Sequence, residues 1–231
     1  LNEPHHPSQH KSLNLVFISL NYPHQELFLK DLAELKEKLF STNPFDELKD
    51  SISISYVSLS KDEEAAYLKA VQGMPPLNVR MDLLSNISKA FSTYKLIILD
   101  YQNGSTCAEL SSIDKFSLVI VGRSRYRNND GFSKGFLHEL GHSLGLRDEC
   151  LNCQKLEPGY PNCAPSKEIA KQWWGNLVGE RPYVNYVNGC CGSTDYIRPT
   201  IASLMNDTSK AANFGPVNEA YIRKEFFRLT Q

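Results

Sequence analysis

Apolar positions recur along the first 145 residues with two different periods. Residues 13–20, LNLVFISL, form a short apolar run that predicts a buried strand. From His24 to Phe40 the positions Phe28, Leu32, Leu35 and Leu39 fall on one face of a helix, and Pro44 stands just beyond its end. ISISYVSL at 52–59 alternates, with Ile52, Ile54 and Tyr56 to one side and serines to the other, the pattern of a half-buried strand. Two short helices are expected around 62–71 and 80–92, separated by GMPP, and KLIILD (95–100) and FSLVIVG (116–122) read as further strands. Strands alternating with helices in this order predict an α/β fold with a twisted, mostly parallel sheet. In GRSRYRNNDG the cations Arg123, Arg125 and Arg127 alternate, which reads as a charged edge strand that resists association.

From Leu146 onward the pattern changes. Cys, Gly, Pro, Asn and Tyr are frequent and periodic stretches are few. SKEIAKQWW (166–174) predicts a short helix with Ser166 as its cap, and Gly215-Pro216 opens a last helix over 217–229. Between them Gly175 to Thr200 has no regular period, so disulfides or a metal are expected to hold it. The chain therefore reads as one domain, 1–231, made of an N-terminal α/β subdomain (11–145) and an irregular C-terminal subdomain (146–231).

Composition narrows the classes. The 231 residues are 41% hydrophobic and 22% charged, which excludes a disordered or low-complexity chain. A formal charge of -1 leaves no basic field for nucleic acid. No apolar run approaches the roughly 20 residues that span a bilayer. Six cysteines, at 107, 150, 153, 163, 190 and 191, suit an oxidising compartment, so a secreted protein, extracellular or periplasmic, is expected. The start at Leu1 suggests processing from a longer precursor. The histidines of the opening arm, His5, His6 and His10, read as a solvated tail.

The strongest chemical signal is GFSKGFLHELGHSLGL at 131–146. His138 and His142 lie one helical turn apart, so both imidazoles can reach one zinc, while Phe136, Leu137, Leu140 and Leu144 supply a core face. Glu139 is placed to act as general base toward a metal-activated water. No histidine follows His142, so the third ligand is a carboxylate or a cysteine. Gly145 can end the helix in a left-handed conformation and return the chain toward the metal at Asp148. Glu149 and Glu168 remain as rivals, the latter on a later helix as in the His2Glu zinc peptidases.

HELGHSLGLRDE at 138–149 resembles the extended zinc signature of the metzincin metallopeptidases, in the form that carries an aspartate third ligand. The resemblance implies zinc held by His138, His142 and Asp148, Glu139 as base, and Gly145 at the turn. It also implies that Ser203-Leu204-Met205-Asn206 is the methionine turn beneath the metal, with Met205 as its methionine. The likeness extends to the IgA-peptidase family, through Gly145 to Glu149, NPFDELKDSISISYV (43–57), YIRPTIASLMND (196–207) and FGPVNEAYIRKEF (214–226). Cys150 stands where that family usually has tyrosine. A single catalytic domain is implied, a monomer acting on a protein or peptide substrate. An exopeptidase, another zinc hydrolase, or a protein- or carbohydrate-binding module with an inert metal site is the alternative.

Some metzincins add a tyrosine to the oxyanion site; Tyr186, Tyr196 and Tyr221 are the candidates here, and packing is the simpler role for each. The cysteines are expected to form disulfides between the 150–163 and 190–191 segments, with Cys107 as a long-range partner and Cys190 and Cys191 bonded to different residues. The rival is a second zinc held by four thiolates, as in the archaemetzincins. Sequons occur at Asn86, Asn103 and Asn206, the last expected to be too buried for modification.

Overall fold

The computed structural model describes residues 12–57, 59, 61–62, 64, 94–102, 106–110, 117–126 and 128–231. The tail histidines, the helix expected over 80–92, most of that over 62–71, Arg127, Asn86 and Asn103 lie outside them.

Strand β1 (Leu13–Leu20) leads into α1 (Gln25–Phe40), a one-turn helix α2 (Phe45–Leu48) and β2 (Ile52–Val57). Then come β3 (Tyr94–Asp100), β4 (Thr106–Leu110), β5 (Ser117–Gly122) and α3 (Asn129–Ser143). The C-terminal part holds α4 (Lys167–Trp174), the hairpin β6 (Val187–Cys190) and β7 (Ser193–Arg198), and α5 (Pro216–Thr230). The main sheet runs β2-β1-β3-β5-β4. Its first four strands are parallel, and β4 closes the edge antiparallel to β5. The fold is thus α/β with a mostly parallel sheet.

β1, β3 and β5 are apolar on both faces because both faces are buried, the usual state of parallel strands. Leu13, Leu15 and Phe17 of β1, Ile97 and Leu99 of β3, and Val119 and Val121 of β5 meet the helices on one face. Against them lie Phe28, Leu32, Leu35 and Leu39 of α1, the four positions whose spacing predicted its inner face. Phe132, Phe136, Leu137 and Leu140 of α3 join the same core, as do Met205, Phe214, Ile222 and Phe226 from the C-terminal part. A smaller core under the hairpin gathers Ala164, Ala170, Trp174, Val184, Ile197 and Val217.

Three expectations require correction. The segment Arg123–Arg125 is a 3-10 turn and not an edge strand; the edge is β4. Arg123 turns inward, because Nε donates to the buried Asp31 carboxylate at 3.1 Å and the guanidinium covers the Phe132 ring at 4.8 Å. Gly175 to Thr200 is not wholly irregular, since it contains β6 and β7, joined by Cys191 and Gly192 at φ 49° and 68°. Two successive positive φ values make the tight reversal that suits a twisted hairpin. Tyr56 does not share the burial of Ile52: it is 48% exposed on the outer strand. No helix among the described residues is long and apolar enough to cross a membrane.

Lys95 ties the sheet to the end of α3. It lies on the core face of β3, 7% exposed, and its Nζ donates to the Ser143 carbonyl at 2.7 Å. That carbonyl belongs to the negative end of the helix, which favours the cation. Burial nevertheless pushes the Lys95 pKa down to about 8, and Arg228 adds to this against the pull of Glu225. The unfolded chain then holds the extra proton between that value and the ordinary lysine pKa, so this residue's contribution to stability rises with pH across the interval. The unfolding free energy of the wild type minus that of Lys95→Met is expected to increase by on the order of 2 kcal/mol between about pH 7 and about pH 10.5. Denaturant titrations at both ends check it, and a flat or falling difference contradicts it.

Candidate metal centre

Asn128 starts α3 by accepting the Gly131 amide at 2.7 Å, and the glycine-rich end of the helix stops it. Gly145 adopts φ +102°, the Leu146 amide returns to the Gly141 carbonyl at 3.1 Å, and the Gly145 amide to that of His142 at 2.9 Å. This pair of bonds is a Schellman ending, and it reverses the chain immediately after the two histidines. Gly141 is required for another reason: a Cβ there would lie 2.7 Å from Met205 Sδ and 3.0 Å from the Phe214 ring.

The reversal shapes the imidazoles. His142 Nδ1 lies 2.9 Å from the Leu146 carbonyl, and His138 Nδ1 lies 2.7 Å from the Leu204 carbonyl. A carbonyl only accepts, so each Nδ1 carries the proton and each Nε2 keeps its lone pair. The two Nε2 atoms face each other at 3.1 Å, and Asp148 Oδ1 is 3.3 Å from both. Three donor atoms converge with no proton of their own to share. A tetrahedral cation with N and O ligands at about 2.0–2.1 Å requires donor separations of about 3.3–3.4 Å. The two-imidazole, one-carboxylate triangle fits zinc in spacing and in donor type.

Burial works against charge here, but the imidazoles and the carboxylate overcome it together. The imidazoles of His138 and His142 beside it outweigh burial and hold the Asp148 carboxyl well below the usual carboxylate range. Asp148, Glu139 and the Leu204 carbonyl raise His138. Glu139 itself is 7% exposed and makes no ion pair among the described residues; burial raises its proton affinity against the pull of the two histidines and Arg125.

Successive side chains of the 148–149 segment point opposite ways. Asp148 enters the metal triangle, whereas Glu149 is fully buried on the other side. The Glu149 carboxylate accepts Ser203 Oγ at 2.6 Å, Asn218 Nδ2 at 2.8 Å and Asn162 Nδ2 at 3.0 Å. Burial still raises its pKa, against those hydrogen bonds and Arg198. The main chain is held as firmly: the Glu149 amide donates to the Met205 carbonyl at 2.7 Å, and Arg198 donates to the Glu149 carbonyl at 2.8 Å. The tip of the β6–β7 hairpin completes the hold, with the Cys191 amide on the Asp148 carbonyl at 2.9 Å and the Gly192 amide on that of Cys150 at 3.0 Å. Glu149 is therefore placed as a brace, and Glu168, exposed in the first turn of α4, belongs neither to the donor group of the triangle nor to the cleft lining.

The triangle opens into a cleft of about 690 Å³, lined also by Arg125, Tyr126, Glu139, Asn206 and Asp207. Sequence patterns did not single out Tyr126 or the Glu149 brace. Among the described residues no other tyrosine lines the cleft: Tyr186 stacks on Trp174, Tyr221 packs on Tyr160, and Tyr196 packs beside Cys163 and Cys190. Asn206 is only half-buried and donates to the Ile201 carbonyl at 2.8 Å, against the expectation of full burial.

The disulfides differ from expectation in part. Cys163–Cys190 joins two distant segments, as a cross-brace should. Cys150–Cys153 instead closes a loop of three-residue separation, and Cys191 is a buried free thiol whose pKa burial pushes up to about 11. Cys191 sits at the hairpin turn with positive φ, and its thiol lies within 4.8 Å of the Cys163 and Cys190 sulfurs. Cys107 lies on β4, and the pairing expected for it falls outside what the structure describes.

No family model and no curated protein matches the chain. Among solved structures, archaemetzincin from Methanopyrus kandleri matches 97% of this chain and 100% of that one, at 14% identity and a TM-score of 0.43. A chaperone–substrate complex matches 96% of this chain and 35% of that one, at 8% identity and a TM-score of 0.37. At these scores neither likeness carries an argument about this chain, and neither supports the IgA-peptidase family.

Glu149→Ala strands three buried donors and is expected to lower stability by about 3–5 kcal/mol. Asp148→Ala is expected to leave the metal-free fold nearly unchanged and to remove most zinc binding. Denaturant unfolding and zinc titration of the two variants check this; matched losses in both measurements contradict it.

Proposed function

We propose that this protein is a zinc-dependent hydrolase of peptide bonds, an endopeptidase with Glu139 as general base. The observation that carries this reading is the triangle of His138 Nε2, His142 Nε2 and Asp148 Oδ1, with sides of 3.1–3.3 Å, next to a half-open cleft that contains Glu139. Zinc bound there supplies the positive charge that acidifies an attacking water and polarises the scissile carbonyl.

The chain's own residues do the rest. His138 and His142 present lone pairs because Leu204 and Leu146 fix their tautomers. Asp148 would hold the ion together with the two histidines and would lower the net charge of the site while adding only one ligand. Glu139 follows His138 directly on α3 and shares its cleft, so its carboxylate accepts the proton of the attacking water and returns it to the departing amine. Met205 lies beneath the histidines against Gly141 and does not enter the triangle; its role is to fill the floor. The cleft has polar walls, with Arg125, Asn206 and Asp207 among its lining, which suits the polar backbone of a peptide. The two disulfides suit a protein secreted to an extracellular or periplasmic space.

Glu139→Gln is expected to lower turnover of a peptide blocked at both ends by about 10²–10⁴-fold while one zinc per chain is retained. Mass spectrometry of the products and metal analysis check both halves. Unchanged turnover in the variant contradicts the role of Glu139. Wild-type protein that removes only terminal residues would make it an exopeptidase, and inert zinc-loaded protein would make it a binding module.

A further inference from the structure

The Cys150–Cys153 disulfide does not brace distant parts of the chain. It closes a short loop, so it removes less unfolded-chain entropy than Cys163–Cys190, which spans 27 residues. It is also placed differently. Cys163 and Cys190 are fully buried, whereas Cys150 and Cys153 are half-exposed and line the cleft beside His138, Glu139 and His142. Both sulfur atoms and a carboxylate oxygen of Asp148 lie within 4.8 Å of one another. The same Asp148 is 3.3 Å from each histidine.

We propose that Cys150, Cys153 and Asp148 form a second metal-ligand set, created when the disulfide is reduced and sharing Asp148 with the histidine pair. The inference rests on Asp148 being a metal ligand. A dithiol reductant transfers two electrons and two protons to the disulfide: the S–S bond breaks, two thiols form, and the reductant closes its own disulfide. Coordination of a divalent soft or borderline cation then releases both thiol protons. Two thiolates at about 2.3 Å from a tetrahedral cation stand about 3.8 Å apart. The Cα atoms are 5.8 Å apart, so rotation of the two side chains from their bonded position opens that gap without moving the main chain. The spacing of two intervening residues is one that zinc-binding thiolate pairs use.

The main chain around the pair is already fixed. The Gly192 amide donates to the Cys150 carbonyl, and the Leu156 amide to that of Cys191, so the loop is pinned at both ends to the hairpin tip. Oxidised protein therefore presents an open imidazole–carboxylate site. Reduced protein presents thiolates at its rim, which draw the ion out of reach of Glu139 or close its free position. Reducing surroundings would thus bind the metal more tightly and silence the cleft.

The full chain loaded with cobalt(II) tests this, before and after reduction with a water-soluble phosphine that carries no thiol. Two thiols per chain more than before reduction and a new sulfur-to-cobalt charge-transfer band are expected, with affinity raised about tenfold or more. Cys150→Ser combined with Cys153→Ser should lack the band and keep the oxidised spectrum. An unchanged spectrum on reduction of the wild type overturns the proposal. So does a band of equal strength in the double variant, which would arise from the buried cysteines. Cobalt taken up only after reduction would sustain the thiolate set and remove the basis of the hydrolase reading. Uptake only before reduction would do the reverse.

Discussion

The imidazoles of His138 and His142 have their Nδ1–H groups committed to the carbonyls of Leu204 and Leu146. Everything else at the site follows from those two bonds. They fix the tautomer, aim both Nε2 lone pairs at one point, and leave that point repulsive unless a cation or a proton occupies it. Asp148 adds a third pair of electrons to the same point. The carbonyls are themselves fixed by larger features. Leu146 follows the Schellman turn at Gly145, and Leu204 precedes the methionine that sits against Gly141. The metal triangle is thus the local expression of a helix ending and a turn packed face to face.

The energetic cost of that arrangement lies in Glu149. A carboxylate with no exposed surface is unfavourable by itself, and three donors offset the loss of water. The donors come from the loop at Asn162, the turn at Ser203 and the last helix at Asn218. One acidic side chain therefore couples three separate segments to the residue beside the metal ligand. Hydrogen bonds to a buried charge are worth about 1.5–3 kcal/mol each, so the brace is strong enough to hold Asp148 in place against thermal motion. Extended main chain makes the division of labour possible, because neighbours in it face opposite ways.

How much of this was legible in the sequence depends on range. The inner face of α1 was readable because Phe28, Leu32, Leu35 and Leu39 repeat with the helical period. The Ser166 cap of α4 and the proline-led start of α5 were readable because their signals are local. The meeting of His138 and His142 follows from one helical turn, and the approach of Asp148 from the glycine three residues after His142. The Glu149 brace was not readable, since Asn218 stands 69 residues away and an isolated asparagine has no pattern. The β6–β7 hairpin was hidden because Cys191 occupies a positive-φ position that usually announces itself with Asn or Gly. The alternating arginines misled for a related reason: period two describes a strand only where a neighbour is available to pair with it, and β5 had already taken β4.

X-ray absorption at the zinc edge of oxidised, zinc-loaded protein measures the central geometry most directly. A first shell of N and O atoms at about 2.0–2.1 Å, outer-shell scattering from two imidazoles, and no sulfur are expected. Sulfur at about 2.3 Å in the oxidised protein, or the absence of imidazole scattering, would contradict that geometry.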